Sequence, residues 1–225
     1  MKKIVLIFSV LGFISCKSYD NTTLIKLQKP VQNEYFTIAF GSCDNQKIKN
    51  ELWPVIDENH PSVWIWGGDN VYSDTEDMQF LKKNYEIQKQ DPDYLQFIKG
   101  KIVLGTWDDH DYGANDGGAE YPFKRESQQL FLDFLGTSKD AVGRKREGVY
   151  SAKTIVINRN KVKIIVLDSR YFRTALTKAT DSKKRFQPNN DGAGTILGDA
   201  QWKWLEEELQ NSDAQFNLIV SSNFY

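Results

Sequence analysis

Between Gly105 and Gly118 the chain reads Gly-Thr-Trp-Asp-Asp-His-Asp-Tyr-Gly-Ala-Asn-Asp-Gly-Gly, its densest group of potential ligands. Asp108, Asp109 and Asp111 surround His110, and the apolar run Lys101-Ile-Val-Leu-Gly-Thr leads into them. Carboxylates hold hard cations, and imidazole changes charge near neutral pH, so the spacing suits a metal or an acid–base site. Taken alone it fits a polar turn equally well, because Asp, Asn and Gly are ordinary turn residues. Two further stretches bear on the choice. Cys43 follows the apolar run Tyr35-Phe-Thr-Ile-Ala-Phe-Gly, and Gly68-Asp69-Asn70-Val71-Tyr72 follows Pro61-Ser-Val-Trp-Ile-Trp.

These residues need elements to hold them. The runs before Cys43, Asp69 and Asp109 are short, β-branched or aromatic, and read as buried strands. Ligands gather at the carboxyl ends of strands in open α/β sheets. Ile48, Leu52, Val55 and Ile56 share one face of a helix that Pro54 kinks or begins. A second helix spans about Asp74 to Gln90 with Phe80, Leu81 and Tyr85 as its apolar side, and a third lies around Phe123 to Leu135. Residues 149–158 and 161–168 read as a hairpin about Arg159-Asn160. Residues 174–195, rich in Lys, Asp and Gly, read as an exposed excursion. Asp199 caps a helix carrying Trp202, Leu205 and Leu209, and Phe216 begins a last strand.

Composition sets outer bounds. The 225 residues are 40% hydrophobic and 26% charged, with a formal net charge of −1, which is ordinary for a folded domain and lacks the basic excess that nucleic acid selects. The N-terminus is read apart from the fold. Lys2 and Lys3 precede the apolar Ile4–Phe13, and Phe13-Ile14-Ser15-Cys16 resembles a bacterial lipobox. That likeness implies a signal peptide over residues 1–15, lipid on Cys16, a tether over 16–33 and a protein held on a membrane outside the cytoplasm. A plain secretory signal cut elsewhere is the other reading. Cys16 and Cys43 are the only cysteines, so a lipidated Cys16 leaves Cys43 as a lone thiol that burial or a metal must protect.

Gly41-Ser42-Cys43, Gly68-Asp69-x-x-Tyr72, Trp107-Asp108-Asp109-His110-Asp111, Asp168-Ser-Arg-Tyr-Phe-Arg173 and Leu197-Gly-Asp-Ala-Gln-Trp-Lys-Trp-Leu205 follow one another in this order. Together they resemble the PhoD-like alkaline phosphatases of the metallophosphoesterase superfamily, over residues 34–225. The resemblance implies an α/β fold, a sandwich of two mixed sheets flanked by helices, and hydrolysis of phosphate mono- or diesters. It implies ferric iron (Fe3+) on Cys43 and Tyr72, with Asp69 bridging to a divalent metal for which calcium (Ca2+) is one candidate. Asp109 then stands where the superfamily often has Asn, a more anionic ligand for that second ion. His110 falls near the leaving group as the proton donor, with Asp111 orienting it, and Arg170 and Arg173 offer forked donors to phosphate oxygens.

The family carries a further Asp- and His-containing metal segment C-terminal to these motifs, so the resemblance also implies a partial domain whose C-terminal part is missing. A non-catalytic lipoprotein that keeps the fold for binding, and a calcium-stabilised binding protein using the acids of 108–116, are the competing readings.

Overall fold

The computed structural model describes Ile25–Lys26 and residues 35–222. Residues 1–15, read as a signal peptide, and Cys16 lie outside the described residues. In chain order the elements are β1 (Ile25–Lys26), β2 (Ile38–Gly41), α1 (Leu52–Asp57), β3 (Val63–Gly67), α2 (Met78–Gln90), α3 (Pro92–Ile98), β4 (Ile102–Thr106), α4 (Asp109–Tyr112), α5 (Lys124–Phe134), β5 (Ser151–Ile157), β6 (Asn160–Val166), β7 (Thr177–Lys178), β8 (Phe186–Gln187), α6 (Gly198–Gln210) and β9 (Phe216–Val220).

Two sheets pack face to face. One is parallel throughout, in the order β2-β3-β4; the other is mixed, in the order β1-β5-β6-β9. Strand alternation sorts the core into layers. Val63 and Ile65 of β3 meet Ile155, Ile164 and Val166 of the mixed sheet. Trp64 and Trp66 point the other way, into an aromatic cluster with Trp53, Tyr94 and Phe97 beneath α1 and α3. Ile165 and Leu167 face Leu197 and Leu205 of the α6 layer. The order helix, sheet, sheet, helix explains why β3 reads as an unbroken apolar run: both its faces are covered. Each such side chain contributes about 1.5–3 kcal/mol relative to exposure.

Several local readings shift. Asn158, at φ 56°, takes the left-handed position of the β5–β6 turn, so the tight turn is Asn158-Arg159, one residue earlier than expected. In α1 only Trp53 is fully buried, with Ile56 packed beside it on the aromatic cluster; Leu52 and Val55, and Ile48 before the helix, are exposed. In α6 the residue before the helix is Leu197, without a side-chain cap, and Trp202 is 54% exposed while Leu205 is buried. Asp77 caps α2, accepting from the amides of Gln79 and Phe80, so that helix begins later than Asp74. Helix α3, started by Pro92 behind the cap Asp91, carries Tyr94 and Phe97 inward and was not among the expected elements. Ile25–Lys26, within the stretch read as a tether, pair in parallel with Ile155 and Val156. Among the described residues no helix is long and apolar enough to cross a membrane.

Candidate metal centre

Three parallel strands deliver the site. β2, β3 and β4 run side by side, so the loops after Gly41, Gly67 and Thr106 open at the same edge. Backbone bonds zip the first two loops together: Cys43 N–H donates to Gly68 O at 3.1 Å and Asp44 N–H to Asp69 O at 3.0 Å. Gly68 has φ 108°, and a Cβ there would stand 2.7 Å from Asp108 Cβ, so only glycine lets the second and third loops touch. Cys43 (φ 61°), Asp69 (φ 52°) and Asp74 (φ 44°) also occupy left-handed backbone that glycine would take at lower cost. Strain of this kind recurs at functional sites, although His60 and Asn158, outside the cluster, take the same backbone conformation.

Asp69, Asp109 and His110 each place a ligand atom within 4.8 Å of the others. Cys43 Sγ lies 3.6 Å from Asp69 Oδ2, and the Tyr72 ring lies 4.4 Å from the His110 ring. Cys43 is free and exposed, so its thiol is not protected by burial. The donors fit a cation. Burial pushes the Asp69 carboxyl up, and Asp109 adds to it, against the opposing pull of His110. Burial, then the Cys43 thiol and the Asp69 and Asp109 carboxylates, push the Tyr72 phenol far up. A positive ion among these groups reverses both effects.

Asp111 differs from the expectation. It does not touch the His110 ring; it is completely buried and braces the loops from below. Its Oδ1 accepts from the amides of Asp69 (3.2 Å) and Asp108 (2.8 Å), and its Oδ2 from the amide of Asn70 (3.2 Å) and Asn70 Nδ2 (2.6 Å). The partner of His110 is Asp74, whose two oxygens each lie 2.8 Å from Nδ1. The reason is geometric: a residue next to His110 on the one-turn α4 points into the core, whereas the loop after β3 passes over the ring. Burial alone lowers the His110 pKa, but the hydrogen bond to Asp74 and the nearby carboxylates outweigh it and leave it raised. An acid five residues after Asp69 was the only sequence signal for Asp74.

The arginines also differ from one another. Arg170 is buried, bonded to Asp108 through Nε (2.5 Å), and reaches to 3.6 Å from Asp109 Oδ1, at the rim of the cluster. Even so, burial raises the Asp108 carboxyl to about 6, with Asp69 and Asp109 adding to the rise and Arg170 opposing it. Arg173, expected to clamp phosphate, instead splints the loop by donating to the carbonyls of Asp116, Gly117 and Thr174. Asp168 is a structural hub that accepts from Trp107 Nε1 and from the amides of Val149, Arg170 and Tyr171.

Residues 158–224 match the family model described as PhoD-like phosphatase. A solved structure described as "Structure of PhoD" superposes with a TM-score of 0.61 at 16% identity. The fold is that of a PhoD-like phosphatase. The superposition covers 81% of this chain and 40% of that one, so the chain spans less than half the length of the solved PhoD. No curated protein matches the chain significantly. Cys43, Asp69, Tyr72, Asp109 and His110 all precede the matched residues 158–224, so the site geometry and the family match are separate observations. The two-sheet α/β architecture agrees with the expectation from the motifs, with one sheet parallel rather than mixed.

Proposed function

We propose that the protein hydrolyses phosphate mono- or diesters with metal assistance. The observation that carries this reading is the convergence of Asp69, Asp109 and His110 at the strand ends of a PhoD-like fold. Cys43 and Tyr72 would hold ferric iron, Asp109 a divalent ion such as calcium, and Asp69 would lie between them; soft and phenolic anionic donors suit the first, a carboxylate the second. Bound there, the ions would supply Lewis acidity toward a phosphoryl oxygen and toward water.

The chain's own residues do the rest. Asp74 takes the Nδ1–H of His110, which leaves Nε2 as the atom that gives a proton to the departing alcohol. The raised pKa keeps that proton available near neutral pH. Asp111 holds the amides that fix Asp69 and Asp108, so the carboxylates stay in place as charge develops. Arg170 is the better placed of the two arginines for a phosphate oxygen, because it already borders Asp109.

The N-terminal sequence supports a lipid on Cys16 and a position outside the cytoplasm; Cys16→Ser should release the protein from membranes. The enzymatic reading is tested by metal analysis and by turnover of aryl phosphates with a series of leaving groups. Purified protein should be coloured by its iron, and Cys43→Ala or Tyr72→Phe should bleach it. His110→Ala should lower turnover by about 10²-fold or more for poor leaving groups, and by less for good ones. Absence of bound metal and of phosphatase activity in the wild type would leave the fold as a binding module.

A further inference from the structure

Away from the metal cluster, a cavity of about 430 Å³ opens between β4, the start of β5 and α6. It shares none of Cys43, Asp69, Tyr72, Asp109 or His110. Leu132, Leu135, Val142, Tyr150 and Trp204 give it apolar walls. Arg146 stands among them with its guanidinium 3.8 Å from the Tyr150 ring centre and 5.4 Å from that of Trp204. Its Nε is buried without a hydrogen-bond partner, and among the described residues its guanidinium forms no ion pair.

A guanidinium left like this is costly. A buried donor without an acceptor loses its hydration, and contact with the Tyr150 and Trp204 rings returns only part of that loss. The cost shows in the direction of its pKa, which burial lowers against the weaker pull of Tyr150, Glu208 and Asp168. Lys153, also lining the cavity, is lowered by burial too. Of the two acids in the lining, Glu208 is taken by Lys163 at 2.6 Å, and Asp140 is exposed at the rim. The cavity therefore presents two aromatic rings tilted 54° to each other, a forked cation and a small positive excess.

We propose that this cavity binds a small organic carboxylate carried on a flat apolar body. The carboxylate would pair with Arg146, whose planar fork matches two carboxylate oxygens. The body would lie against Tyr150 and Trp204, as amphipathic ligands do in apolar pockets with few polar groups. With one free acid offsetting part of the charge of Arg146 and Lys153, the cavity suits a monoanion better than a dianion such as a phosphate monoester.

The test uses the full chain with 2-naphthoate and its uncharged analogue 2-naphthamide, measured by equilibrium dialysis. One naphthoate should bind per chain, and the amide should bind about tenfold more weakly or worse, the equivalent of about 1.4 kcal/mol for losing the charged pair. Arg146→Gln should weaken naphthoate by roughly the same factor and leave the amide unchanged. If Arg146→Gln fails to fold, Val142→Asp decides, since Val142 is exposed at the mouth and an added acid there should repel naphthoate alone. Asp69→Asn should leave naphthoate binding intact. Equal affinity for acid and amide overturns the proposal, as does undiminished binding in Val142→Asp. Loss of naphthoate binding in Asp69→Asn overturns it too, by placing the probe at the metal cluster.

Discussion

The strand-end cluster and the flanking cavity both hold charge that the chain leaves uncancelled, with opposite sign and by different means. At the ends of β3 and β4 the scaffold is oversupplied with hydrogen bonds: Asp111 alone accepts from three backbone amides and Asn70 Nδ2. That rigidity forces Asp69 and Asp109 to face each other and His110. At the cavity the contrast lies between a lining residue and a neighbour behind it. Arg144 is satisfied by Ser138 O, Thr137 O, Gln129 Oε1 and the Asp133 carboxylate, whereas Arg146, two residues on, has no acceptor. Uncancelled negative charge on braced loops calls for a cation, and one bare guanidinium between aromatic rings calls for an anion. The same chain thus separates structural from available charge over very short distances.

The comparison breaks first at Asp69. Asp69→Asn removes the carboxylate that touches Cys43 and His110, and should reduce metal affinity by more than the 10- to 100-fold typical of losing a residue behind the ligands. Metal content after gel filtration reads this out, and normal occupancy would sink the cluster as a metal site.

Next in size is Asp74→Asn, which should cost about 10- to 100-fold in turnover, as for other residues behind a working group. It should also move the basic limb of the pH–rate profile to lower pH, because the His110 imidazolium loses its main support. A fall in turnover with an unmoved profile would make Asp74 a structural residue only.

The third concerns stability without metal. Asp69, Asp108 and Asp111 are all raised by burial, Asp108 to about 6. A raised carboxyl stabilises fully below its unfolded value, about 3.9, and that stability is lost as pH rises through the folded value. Metal-free protein should therefore melt at progressively lower temperature from about pH 4 upward through pH 6. Added cation should restore more at pH 7 than at pH 4.5. A metal-free melting temperature that rises over this range would contradict the picture of mutually repelling acids.

The smallest effect belongs to the satisfied arginine. Burial alone raises the Asp133 carboxyl, but the hydrogen bonds and charges of Lys139 and Arg144 outweigh it and hold it low. A depressed carboxyl stabilises above its unfolded value and loses this as pH falls through the folded one. Asp133→Asn should lower the melting temperature slightly near neutral pH, with the difference from wild type vanishing in acid. A constant difference across pH would mean packing, not charge, is at work.

Local sequence carried much of this protein. The apolar runs before Cys43, Asp69 and Asp109 specify strands and their polar ends specify loops, but only the central β3 is buried from Val63 to Trp66; β2, at the sheet edge, leaves Phe40 80% exposed. The acids and histidine of the third loop were legible as residue types that have no place in a core without partners.

What the tertiary structure decided was pairing. Asp111 adjoins His110 in the sequence and Asp74 lies 36 residues before it, yet the stacking of one loop over another sends the distant acid to the imidazole and the adjacent one into the core. Arg170 and Arg173 share a motif, yet one borders the cluster and the other fastens loop carbonyls. Trp53 and Trp202 each sit beside helical apolar residues, yet one is buried and the other exposed. In every case the residue's chemistry was set by its type, and its partner by packing between elements distant in the chain, which no local period encodes.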